Sequence, residues 1–239
     1  MPHVRVQGTD IEYRVLKTRR NRYIRLTVSG RNGVRVSAPW GVPERDLHAM
    51  VREKGAWILD RLRHFREIEQ QQPRWRWADG ERVLIMGAWR TLRIISWEWN
   101  AGKVALEDGV LVLRVPFRFL CEEKILSELF HRWLRRWARE ELPRRLALLA
   151  EQMQLHPARV DIRAQRSKWG SCSAEGRISL NMYLMFAPPP VIDYVLIHEL
   201  AHLKELNHSP RFWQLVERYC PARREHQAWL REHTWLLEP

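Results

Sequence analysis

Four side chains in the stretch HELAHLKELNH have the types and spacing for metal-assisted hydrolysis. His198 and His202 stand four residues apart, so on a helix they project from one face, one above the other. His208 returns after a short polar break at Glu205 to Asn207. A catalytic zinc takes three protein ligands, keeps a fourth position for water and lowers that water's pKa to about 7. Glu199, directly after the first histidine, is placed to accept the water's proton. The expectation is one zinc per chain, held by His198, His202 and His208, with Glu199 as general base.

The pentapeptide alone is a moderate signal, and a hydrogen-bonded pair of core histidines is the competing reading. The flanks favour metal. Val191, Ile192, Val195, Leu196, Ile197, Leu200 and Leu203 make this helix apolar nearly all round. Buried histidines and a glutamate on such a helix are costly unless bound or paired. His208 fits the HExxHxxxxxH arrangement, although metzincins carry glycine three residues before the last histidine, where Glu205 stands. Asn207 can take the left-handed backbone that glycine would supply. Glu217 and Glu225 are the rival third ligands, as in thermolysin-like enzymes.

The second unusual stretch is RSKWGSCS, from Arg166 to Ser173. Read plainly, it is a turn capped by small hydroxyls with Trp169 in the core. Read functionally, it is a rim over the metal, offering backbone to an extended substrate and Arg166 or Lys168 to a developing oxyanion. Tyr194 lies one turn before His198 and either fills a helix seam or polarises a scissile carbonyl. Arg166, Trp169, Asn181 and Tyr194 are therefore the candidate substrate contacts, and Cys172 reads as a buried structural thiol. The strand Ile178 to Asn181, or the adjoining WGSC, is expected to border the cleft and pair with substrate backbone.

The elements that must position these residues follow from periodicity. Alternation over Ile24 to Val28, the turn SGRNG and Val34 to Ser37 predict a hairpin. Pro43 to Glu69 predicts one helix, and a glutamine-rich linker runs from Glu69 to Arg76. Asp79-Gly80, Met86-Gly87 and Asp108-Gly109 punctuate short strands that end in LVLRVP at Leu111 to Pro116. VRVSAP and LVLRVP look alike, each followed by a tryptophan-bearing helix, and shared punctuation explains this more simply than duplication. A long helix from Glu122 to Met153 is expected, with Ile125, Leu129, Trp133, Trp137 and Leu142 near one stripe. Pro143 should kink or split it. Val160 to Gln165 reads as a strand, SKWGSCSAEGR as a turn-rich connection, and Pro210 to Tyr219 and Ala222 to Trp235 as closing helices. The fold class is α+β, with a β-rich region over 1–116 and a catalytic region over 117–239.

Lysine and arginine outnumber acidic residues 41 to 28. That excess suits an anionic partner, nucleic acid above all, or simply solvated basic faces. Arg14 to Arg25 with Arg132 to Arg145 would form one basic patch if the two halves pack together. Three widely spread cysteines argue against a disulfide framework and for a reducing compartment. No segment approaches an uncharged membrane span. The expected setting is cytoplasmic, without membrane contact.

RSKWGSCS, ISLNMYLMFAPPPVIDYVLIHELAHL and NHSPRFWQLV together resemble the YgjP-like family of bacterial zinc metallopeptidases, relatives of the SprT and WLM (Spartan-like) proteases. The likeness extends upstream through RYIRLTV and VRVSAP and covers most of the chain. It implies a zincin-like, minimal gluzincin-type core, with His198, His202 and His208 as zinc ligands, Glu199 as base, and a protein or peptide substrate. Kinship with proteases acting on DNA-bound proteins agrees with the positive charge only by analogy. Two other classes stand beside this one. A zinc endoribonuclease like the YbeY family shares the histidine spacing but does not require the glutamate. A nucleic-acid-binding module with structural zinc would need a fourth protein ligand, commonly cysteine.

Overall fold

The computed structural model describes residues 2–19, 21–29, 33–71 and 76–237, and packing divides the chain into Met1–Arg74 and Trp75–Pro239. In the first unit, β1 (His3–Val6) and β2 (Thr9–Lys17) form a hairpin over Gln7 and Gly8, both at positive φ. The chain then makes β3 (Arg25–Ser29) and β4 (Gly33–Ala38). The turn expected between them falls on 30–32, outside the described residues. The order is β1-β2-β4-β3, with β2 and β4 parallel and the outer pairs antiparallel. Period-2 alternation turns Val4, Ile11, Tyr13, Val34, Val36 and Ala38 to one face, which shares a core with Leu47, Val51 and Ile58. Each such aliphatic side chain contributes about 1.5–3 kcal/mol by leaving water.

The single helix expected here is two, α1 (Glu44–Glu53) and α2 (Gly55–Gln71). The interruption is the single residue Lys54, at φ −87° and ψ 7°; its N–H still donates to the Met50 carbonyl, and the Ile58 N–H donates to its carbonyl. A Cβ at Gly55 would lie 2.5 Å from Val6 Cγ1, so the chain passes the sheet there only as glycine. Residues 72–75 of the proposed linker lie outside the description.

The second unit opens with β5 (Arg82–Ile85), β6 (Ala88–Ser96), β7 (Lys103–Glu107) and β8 (Val110–Val115). Their order is β5-β6-β8-β7, again with only the inner pair parallel. The registers also correspond: Tyr13 faces Val34 in the first sheet, and Leu92 faces Leu111 in the second. The resemblance of VRVSAP to LVLRVP is thus part of a repeated four-strand unit, which corrects the reading as shared punctuation. Likeness survives where positions face inward, and the outward positions have diverged. The second sheet shares its core with the C-terminal elements, so packing places the boundary at 74/75 rather than 116/117.

Helix α3 (Glu123–Met153) runs unbroken through Pro143. An interior proline costs about 3 kcal/mol, but Leu134, Ala138, Leu142, Leu146 and Ala150 are buried on both sides of it, and that packing outweighs the loss. The buried stripe is Leu126, Phe130, Leu134, Ala138 and Leu142. Of the expected residues Leu129 and Leu142 are buried, whereas Ile125, Trp133 and Trp137 sit at the margin. Next come β9 (Arg159–Arg163), β10 (Gly170–Cys172) and β11 (Arg177–Asn181), in the order β10-β11-β9. A 3-10 turn (Met182–Phe186) leads into α4 (Pro189–Ala201), followed by α5 (Pro210–Tyr219) and α6 (Arg223–Glu232). This is a mixed α/β architecture. No described helix is long and apolar enough to cross a membrane.

Two devices fix α4. The amides of Met86 and Gly87 donate to the carbonyls of Met185 and Phe186, and Gly87 lies so close to Pro188 that a Cβ would be 2.7 Å away. Arg145 of α3 also reaches Glu141 (2.7 Å) and Asp193 of α4 (2.9 Å).

Candidate metal centre

Pro189 and Pro190 start α4, where a missing N–H costs nothing because the first turn has no acceptor for it. The helix is buried on nearly every side, and Glu199, 5% exposed, is among its buried residues. His198 and His202 share one face, as the spacing requires. His202 closes the helix, and its Nδ1 lies 3.1 Å from the Glu205 carbonyl. A carbonyl only accepts, so Nδ1 carries the proton and Nε2 keeps its lone pair. The Ser209 hydroxyl caps α5 by accepting from the Phe212 amide, and Pro210 fits the first turn. His208, just ahead of this cap, stacks on Trp213 at 5.4 Å. Phe212 stands 4.5–5.0 Å from all three imidazole rings. The run NHSPRFW therefore delivers the third histidine.

One ligand nitrogen from each of His198, His202 and His208 lies within 4.8 Å of the others. Nε2 of His198 and Nε2 of His208 are 3.1 Å apart. Two nitrogens each about 2.0–2.1 Å from a tetrahedral zinc stand about 3.3 Å apart, so the cluster fits that ion. Burial, then the neighbouring His202 and His208, push His198 down to about 3, and burial lowers His202 as well. Neutral imidazole is the ligating form. Nδ1 of His198 and Oε2 of Glu199 are buried without a hydrogen-bond partner, polar atoms that a dry apolar site would leave costly.

Glu199 is pushed up to about 8 by burial, against the opposing charge of Lys168. Its carboxylate lies against Gly170 so closely that a Cβ there would be 2.6 Å from Oε1. Beside it opens a cavity of about 290 Å³, lined by Lys168, Trp169, Gly170, Tyr194, Val195, His198, Glu199, Gln227, Leu230, Arg231 and Thr234. Tyr194, 6.0 Å from His198 ring to ring, has its hydroxyl pushed up mainly by burial and stays protonated.

Several expectations need correction. Of the two stretches expected to border the cleft, β11 is paired on both sides and offers no edge to a substrate, while WGSC supplies β10, which is the edge and borders the cavity through Gly170. Asn181 is fully buried and engaged internally, donating to the carbonyls of Gln165 (2.6 Å) and Lys168 (2.8 Å) and accepting from the Tyr183 amide. Its side chain is taken up in shaping the loop. Arg166 is exposed and absent from the cavity wall, where Lys168 stands instead. Glu217 pairs with Arg223 at 2.8 Å and lies outside the histidine group, as does Glu225. Cys172 is pushed up to about 11 by burial and Glu199, and its thiol donates to the Ser173 carbonyl. The sequence reading had Gly170 only as part of the WGSC rim, not set against Glu199, and it missed the α6 wall of Gln227, Leu230 and Arg231. A glycine between tryptophan and serine was the only signal for the first, and the second had none.

Residues 22–233 match the family described as YgjP-like, metallopeptidase domain. The chain belongs to that family. It is also 30% identical over 94 residues to a UTP pyrophosphatase of Escherichia coli (strain K12), a match covering 39% of this chain and 52% of that protein. The chain thus spans about half the length of that curated relative. Among solved structures it is similar to the metallopeptidase zymogen of Pyrococcus abyssi abylysin, with 27% identity, 37% of this chain and 90% of the other covered, and a TM-score of 0.35.

Proposed function

We propose that this YgjP-like chain is a zincin-type zinc peptidase in which His198, His202 and His208 hold the metal and Glu199 is the general base. The observation that carries this reading is the juxtaposition of three imidazoles with a buried, partnerless carboxylate set against Gly170. Zinc bound there supplies Lewis-acid polarisation of the scissile carbonyl and an acidified water. Glu199 takes the proton of the attacking water and passes it to the leaving nitrogen. Tyr194, held protonated, donates to the developing oxyanion. An extended peptide pairs with the edge of β10, and the cavity takes an apolar or aromatic side chain between Trp169, Val195 and Leu230. Among the described residues no fourth His, Cys, Asp or Glu joins the cluster, which favours a catalytic over a structural site. Three free cysteines suit a reducing, cytoplasmic setting.

A second reading has its own support. Lys168 and Arg231 line the cavity beside Glu199, as a triphosphate substrate requires, and the curated relative is named a UTP pyrophosphatase. One experiment separates the two. Zinc-loaded protein and Glu199→Gln are incubated with a protein panel, with and without DNA, and separately with UTP, and products are read by mass spectrometry. New peptide termini from the wild type alone support the peptidase. Pyrophosphate from UTP without peptide cleavage moves the site to phosphoanhydrides.

A further inference from the structure

The two copies of the four-strand unit differ on their outward faces, and the difference is charge. One residue beyond the inward pair Tyr13 and Val34, the chain places Arg14 directly opposite Arg35. The corresponding pair in the second sheet is Arg93 and Val112. There Arg93 is held by Asp79 at 3.1 Å, Val112 is buried, and Arg114 meets Glu107 through two bonds of 2.7 and 2.8 Å. In the first sheet Ser37 stands where Arg114 does, and Ser29 where Glu107 does, so no such neutralisation is built in. Arg14, Arg25 and Arg35 are exposed and make no ion pair with any described residue. Asp10 and Glu12 share the face but sit opposite Arg5 and His3, towards the hairpin end.

Like charges facing one another across strands destabilise a sheet. The second copy shows that the fold does not need them. Two exposed aromatic residues flank the same end. Tyr23 (83% exposed) precedes β3 by two residues, and Trp40 (66%) follows β4 by two, and those strands are antiparallel with Arg25 opposite Ser37.

We infer that the outward face of the first sheet, around Arg14, Arg25 and Arg35 with Tyr23 and Trp40, is a binding site for single-stranded nucleic acid. Arginines on three neighbouring strands meet successive phosphates, and the exposed rings stack on bases. A duplex offers phosphates to this flat surface but no base faces to the rings, and the sheet face carries no helix to enter a groove. The inference is independent of the metal centre and its reaction.

The test is fluorescence anisotropy of a labelled oligothymidylate of about 15 nucleotides with the full chain, across a salt series. Three phosphate contacts predict a fall in affinity of roughly twentyfold between about 50 and about 200 mM salt. Arg14→Gln with Arg35→Gln should weaken binding at least about tenfold and flatten the salt dependence, with zinc content unchanged and melting temperature no lower, because the facing like charges are gone. Arg14→Lys with Arg35→Lys, which keeps the charge, should restore most of the affinity and shows that loss in the first variant is not misfolding. Trp40→Ala should cost at least about fivefold for the single strand and nothing for a duplex. Binding unaltered by the glutamine pair would overturn the site. Equal affinity for duplex and heparin, insensitive to Trp40→Ala, would overturn the single-strand assignment. Partition onto phosphatidylserine vesicles without oligonucleotide binding would overturn it in favour of a membrane surface.

Discussion

Glu199 has the environment a base needs and the neighbours that make it fragile. Glu199→Gln is nearly isosteric and removes no proposed ligand, so fold and zinc content should persist while hydrolysis falls about a hundred- to ten-thousand-fold. Metal analysis alongside a verified substrate assay checks this, and wild-type turnover would remove Glu199 from the mechanism. Gly170→Ala tests the geometry from the other side. Its Cβ would meet Oε1 at 2.6 Å, so the carboxylate must move; activity should fall at least about tenfold, with zinc retained. An alanine variant as active as the parent would show that Glu199 has room the structure denies it. The histidines were legible in the sequence because helical periodicity alone brings i and i+4 to one face. Gly170 was not, because its role depends on a strand lying against a helix twenty-nine residues later in the chain. Asn181 misled for the related reason that a buried amide beside a site looks the same in sequence whether it meets substrate or backbone.

Among elements, the placement of α4 depends on the tie from α3. Arg145, its side chain only 20% exposed, bridges Glu141 and Asp193. Arg145→Met should cost about 1–3 kcal/mol, between an exposed and a buried pair, and this is measurable by denaturant unfolding. A neutral result would leave α4 held by apolar packing alone. The arginines beside Glu141, Arg144 first, hold its carboxyl below the ordinary 4.5, a depressed value in the folded state. Its stabilisation is therefore fully present above 4.5 and is lost as pH falls through the lower folded value. The melting difference between wild type and Glu141→Gln should be largest at neutral pH and vanish in acid; a difference that persists at low pH would contradict the ion-pair origin. Long elements with strong periodicity were readable in advance, as α3 shows. β10 was hidden inside a turn-rich stretch because three residues are too few to alternate, and it is a strand only because β11 pairs with it. Pro143 was read by its local penalty, whereas the burial on both sides of it decided the outcome.

At the scale of the molecule, two cores stand, divided at 74/75 and not at the 116/117 expected from the sequence. The first is built on Ile11, Tyr13, Val36, Leu47, Val51 and Ile58, and the second on residues from Val83 to Leu236 with every candidate metal ligand inside its unit. The repeat of sheet topology escaped sequence reading because it is carried by inward positions of similar shape, Val34 with Leu111 and Val36 with Leu113, and not by identity. This division predicts how metal removal acts. A ligand that binds only the folded form stabilises it by RT ln(1 + [L]/Kd), about 2.7 kcal/mol at a hundredfold excess over Kd. That stabilisation belongs to the unit that holds the histidines. In calorimetry of the full chain, chelation should lower the transition of 75–239 by several degrees and leave that of 1–74 in place. His198→Ala should reproduce the chelated profile in the presence of zinc, because the site and not the chelator is responsible. Probes can assign the transitions: Trp40 and Trp57 report on the first unit, and Trp133, Trp169 and Trp213 on the second. If chelation moved both transitions together, the two cores would unfold as one, and the stability of the first sheet would be coupled to the metal centre.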